Sequence, residues 1–126
     1  MILTSEELQK FFRNNKNVAY CKILKNFGSS PREKGTWMLI SMDGNIFGTI
    51  GGGQLEYNLI QNVMRQDWKV DFKLDIETNL GPDIAQCCGG KVIISIQKIN
   101  YNFSKYLIEK LKKDMSKFTQ VLIFGA

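Results

Sequence analysis

Histidine is absent from this chain of 126 residues, proline occurs twice and cysteine three times. Without an imidazole there is no Ser-His or Cys-His catalytic pair, no His metal ligand and no histidine acid or base near neutral pH. Chemistry is left to carboxylates, thiols, hydroxyls, Lys and Arg. The apolar residues come in short periodic runs, none near the 18 or so consecutive positions of a membrane span, so no membrane association is expected. The first residues, Met1-Ile-Leu-Thr-Ser-Glu-Glu, lack a basic leader and an apolar stretch ending in small residues. They read as something other than a signal peptide, and a cytoplasmic location is expected.

What is present suits one domain: 44% apolar residues and 23% charged ones, enough for a single core. The net charge of +5 is unevenly placed. Residues 1–97 carry 11 basic and 10 acidic side chains, and residues 98–126 carry 6 and 2. The excess falls on a segment whose Leu107, Ile108, Leu111 and Met115 stand at helical spacing. Its lysines read as the wet face of an amphipathic helix, and no nucleic-acid partner is expected.

Periodicity gives an alternating plan. Thr4 and Glu7 form a capping box before a helix with Leu8, Phe11 and Phe12 on one face. Val18 to Lys25 reads as a strand in which Val18, Tyr20 and either Cys21 or Ile23 compete for the buried side. Thr36 to Ser41 and Ile46 to Ile50 flank an Asp43-Gly44-Asn45 turn, a hairpin signature. Leu55, Leu59, Ile60, Val63 and Met64 predict a helix to about Gln66, Lys69 to Glu77 a half-exposed strand, and Val92 to Ile96 an apolar strand. The basic helix follows, then a strand over Val121 to Phe124. The expected class is α+β, with one mixed or mainly antiparallel sheet and packed helices. Gly125-Ala126 after the last strand is similar to the opening of a Rossmann unit, which divides the chain into residues 1–118 and 119–126.

Chemistry concentrates in three loops that hold most of the glycines and both prolines: residues 28–35, 48–56 and 80–90. In the first, Ser29 and Ser30 offer hydroxyls and Arg32 a bidentate fork for phosphate or carboxylate. In the second, Gly51, Gly52 and Gly53 precede a helix, leaving backbone N–H groups at the positive end of its dipole. Glu56 in the first turn favours that dipole but opposes an anion, which points to a role beyond phosphate binding. In the third, Cys87 and Cys88 are adjacent and follow Gln86. Adjacent cysteines do not have Cys-x-x-Cys zinc spacing, which leaves a reactive or soft-metal thiolate, or two small core residues.

Taken together, Gly28-Ser-Ser-Pro-Arg with Gly35 and Met38, Gly48-Thr-Ile-Gly-Gly-Gly with Leu55-Glu56, and Leu80-Gly-Pro with Gln86-Cys-Cys-Gly-Gly90 resemble the xanthine dehydrogenase accessory factor (XdhC/CoxI) family, N-terminal domain. Trp37, where a small basic or polar residue is usual, and Ala85, where glycine is common, depart from the pattern. The resemblance implies an accessory protein, rather than an enzyme, that transiently binds the molybdenum cofactor (molybdopterin). Such a chaperone guards the cofactor while a cofactor sulfurase installs its terminal sulfur, and helps insert it into xanthine dehydrogenase or a related molybdenum hydroxylase. It also implies a homodimer and a following Rossmann domain. The implied cofactor-binding residues are Ser29, Ser30, Arg32, Gly51, Gly52, Gly53, Glu56, Gln86, Cys87 and Cys88, with the two thiols nearest the metal. Two other readings of the same loops remain, a small thiol-dependent redox or transfer enzyme and a structural dimerisation module without a ligand.

Overall fold

The computed structural model describes residues 4–27, 34–79 and 90–123, the last nine of these as backbone only. Its elements run α1 (Ser5–Asn14), β1 (Val18–Phe27), β2 (Trp37–Ser41), β3 (Ile46–Gly48), α2 (Gly53–Met64), β4 (Lys73–Asn79), β5 (Lys91–Lys98) and α3 (Tyr101–Ile123). The five strands form one antiparallel sheet in the order β3-β2-β1-β5-β4. This is the expected α+β class.

Local signals set most boundaries. Thr4 Oγ1 accepts the Glu7 N–H at 3.1 Å and starts α1. Asn100 does the same for α3, its Oδ1 accepting the Phe103 N–H at 2.9 Å. The β2–β3 turn closes around Ser41, whose Oγ accepts the N–H groups of Asp43 and Asn45, while Gly44 takes the positive φ of 88° that the turn requires.

Three boundaries differ from the periodicity. β4 begins at Lys73 and not Lys69, because Asp67 Oδ1 accepts the Lys69 N–H at 3.0 Å and its carbonyl the Val70 N–H at 3.3 Å. That Asx turn breaks the alternation and leaves Val70 exposed. β3 stops at Gly48, where a φ of 83° leaves the extended region, although Ile50 still reaches the core. Residues 121–123, expected as a last strand, continue α3. A strand needs a neighbour's backbone groups, whereas a helix already formed adds each residue with its own hydrogen bond. Phe124, Gly125 and Ala126 lie outside the described residues.

The sheet is buried on two faces, by different helices. On one face Ala19, Cys21, Ile23, Met38, Ile40, Ile94 and Ile96 meet Leu55, Leu59 and Val63 of α2. On the other, Val18, Tyr20, Leu39 and Phe47 meet Leu8 of α1 and Leu107 of α3. Residues 18–21 of β1 are therefore all buried, so no competition for one buried side arises: Val18 and Tyr20 serve one core, Cys21 and Ile23 the other. A register shift between Ile23 and Lys25 then turns the strand's end outward. α3 is amphipathic as its spacing predicts, with Leu107 buried and Lys105, Lys110, Lys112 and Lys113 exposed.

Candidate functional site

The antiparallel register makes the three strands that lead into the glycine loops, β1, β3 and β4, run in the same direction along the sheet. Val18 pairs with Ser41, and Ala19 with Lys98, so these mark one end. Phe27 pairs with Lys91, and Asn79 with Lys91, which puts the exits of β1 and β4 at the other; β3 runs the same way but exits at Gly48, level with Met38 and Cys21. With strands about 4.8 Å apart and about 3.3 Å per residue, the β3 and β4 exits, four strands apart and staggered by the six positions from Cys21 to Phe27, are separated by about 28 Å. Ser29, Ser30 and Arg32 of the first loop, and Gln86, Cys87 and Cys88 of the third, lie outside the described residues.

The middle loop is fully described, and Glu56 organises it. Its Oε2 accepts the N–H groups of Ile50 at 3.0 Å and Gly52 at 2.7 Å, and the hydroxyl of Thr49 donates to the same oxygen. Thr49 Oγ1 in turn accepts the Gly51 N–H at 3.1 Å. The loop's own carboxylate thus occupies the amides of residues 50 and 52, the place an incoming anion would take. Charge-assisted bonds of this kind are about twice as strong as neutral ones, so the loop is held in one shape from the first turn of α2.

The need for glycine here is conformational. Gly52 has φ 78° and ψ −170°, in territory that side-chain-bearing residues scarcely visit. A Cβ built on Gly52 or Gly53 would meet no atom within 4 Å. Their backbone faces open space, so a planar or anionic group could approach it closely.

Of the thiols only Cys21 is described. It is fully buried between sheet and α2, and burial pushes its pKa up to about 12, so it stays a neutral core group. Among the described residues no cluster of three or more His, Cys, Asp or Glu side chains could hold a metal ion, and no helix is long and apolar enough to cross a membrane.

Two residues beside the loops were not among the expected site residues. Thr49 is one, recognisable only through its bond to Glu56. Lys91 is the other: its Nζ pairs with Glu77 at 2.8 Å and lies 5.1 Å from the Phe27 ring centroid, at the junction of the first and third loops. Its place directly after Gly89-Gly90 was the available signal. Trp37 packs on the sheet face opposite α2, between Tyr20 at 5.6 Å and Phe47 at 6.3 Å between ring centroids.

An antiparallel sheet covered by helices on both faces, with glycine-rich connections following three strands that run the same way, defines an α+β domain whose candidate site is built from loops. Residues 12–66, a little under half of the chain, match the model of the XdhC and CoxI family. The match takes in the first two glycine loops and ends before Cys87-Cys88. Among solved structures, the chain is similar to one described as a xanthine dehydrogenase from Bacillus halodurans, with a TM-score of 0.66 and 20% identity over 85% of this chain and 34% of that one. The likeness is one of fold, and this chain spans about a third of that chain's length. No curated protein matches it in sequence.

Proposed function

We propose that this chain is the loop-bearing domain of an accessory protein that binds the molybdenum cofactor and assists its insertion into xanthine dehydrogenase or a related molybdenum hydroxylase. The observation that carries the reading is the common direction in which β1, β3 and β4 run into the three glycine loops, two of which lie within the matched residues 12–66. Molybdopterin offers a phosphate, a flat pterin and a sulfur-bound metal, and the residue types in the three loops suit each. Arg32, with Ser29 and Ser30, meets the phosphate as a bidentate donor. The open backbone of Gly52 and Gly53 admits the pterin closely. Glu56 acts on this loop by fixing its shape, so the tension between a carboxylate and a bound anion is relieved if the phosphate sits toward Arg32. Cys87 and Cys88, with Gln86, approach the metal or its sulfur as soft ligands.

In this reading the protein works in the cytoplasm as a homodimer, receives cofactor while a sulfurase completes it, and passes it to the recipient enzyme. The experiment is absorption spectroscopy and metal analysis of protein purified from cells that make the cofactor. Bound molybdenum is expected in the native chain, to be lost in Arg32→Ala and in Cys87→Ser/Cys88→Ser. A colourless, molybdenum-free protein unable to take up added cofactor would overturn the reading.

A further inference from the structure

A groove of about 480 Å³ lies between α1 and α3, away from the glycine loops. Val18 at the start of β1 lines it, whereas the first and third loops leave from the Phe27 end, about 30 Å along the strand, and the middle loop leaves from the far edge strand β3. Phe12, Ile99 and Ile108 give it apolar walls, and Arg13, Lys16 and Lys105 stand around it. No acidic residue belongs to the described lining, and α3, which begins here, has none in its first turn. Arg13 also offsets the negative end of α1, but Lys16 and Lys105 add charge that nothing in the lining neutralises.

We propose that this groove is a second binding site, taking a small organic anion with a flat apolar body: an aromatic carboxylate, sulfonate or phosphate. The volume is that of a small-molecule site. The apolar walls suit a ring system, and the three cations suit one acidic group at its edge. Lys105 already lies 5.6 Å from the Tyr101 ring centroid, so an aromatic ligand would extend an existing cation–π arrangement. The site stands apart from the cofactor reading, since it shares no residue with the glycine loops.

Anilinonaphthalene sulfonate is the probe, with neutral phenylnaphthylamine as its uncharged counterpart. The native chain should bind the sulfonate one to one with a rise in fluorescence, and bind the neutral amine at least tenfold more weakly. Arg13→Gln/Lys105→Gln should weaken sulfonate binding about tenfold or more, as loss of two charge-assisted contacts implies. Lys110→Gln/Lys113→Gln, on the exposed part of α3, should leave it unchanged, and circular dichroism checks that every variant is folded. No binding, equal binding of the neutral amine, or equal loss in the two double variants would overturn the proposal.

Discussion

The carboxylate of Glu56 accepts the backbone N–H of Gly52 across 2.7 Å, four residues back along the chain, and the N–H of Ile50 with the same oxygen. A side chain in the first turn of α2 thereby sets the shape of the loop that precedes it. Glu56→Ala leaves two partly buried donors without their acceptor, and a loss of about 1–3 kcal/mol is expected in urea denaturation. Glu56→Gln, which keeps an acceptor oxygen but not the charge, should recover part of that loss.

Gly52 and Gly53 separate backbone strain from steric exclusion. Neither site has an atom within 4 Å of a substituted Cβ, so any cost of Gly→Ala comes from the dihedrals alone. At Gly52, with φ 78° and ψ −170°, Gly52→Ala should destabilise by about 1–3 kcal/mol. Gly53, with φ 64°, sits at a more accessible left-handed value, and Gly53→Ala should cost about 1–2 kcal/mol. Thermal melts of the two variants test the order.

Burial of Cys21 makes stability depend on pH at the alkaline end. Its thiol titrates at about 12 in the fold against 9.0 for the ordinary group. Because the folded value is the higher one, the unfolded chain gives up this proton first, and stability is full below pH 9.0 and falls as pH rises toward about 12. The slope from one proton is about 1.4 kcal/mol per pH unit. Urea titrations of the native chain and Cys21→Ala, compared across that range, should diverge in this sense. In a Cys87→Ser/Cys88→Ser background, the remaining thiol should react with Ellman's reagent only on unfolding.

Leu59 has no exposed surface and sits where α2 meets the sheet. Leu59→Ala should cost about 2–5 kcal/mol through lost burial and the cavity left behind. Thr4→Ala, which removes only the α1 cap, should cost about 1 kcal/mol. Equal losses from the two would contradict the assignment of the core to the α2 face.

Local chemistry was legible in the residues: the Thr4–Glu7 cap, the Asp43-Gly44 turn, and the alternation of Leu74 and Ile76 in β4 each depend on atoms a few positions apart. The clustering of glycines marked the candidate loops for the same reason, since dihedral freedom belongs to a single residue. The direction those loops share was decided by the order β3-β2-β1-β5-β4, which pairs β1 with β5 across some seventy positions that no local signal spans. Tertiary contact likewise buried both sides of β1, because the helices covering its two faces come from opposite parts of the chain. It also formed the cationic groove, whose walls at Phe12 and Ile108 meet only when α1 and α3 lie on the same face. Sequence determined what each segment could form and where the backbone could bend. Only the packed sheet decided which of those segments meet, because long-range pairing depends on the combined burial of surfaces far apart in the chain.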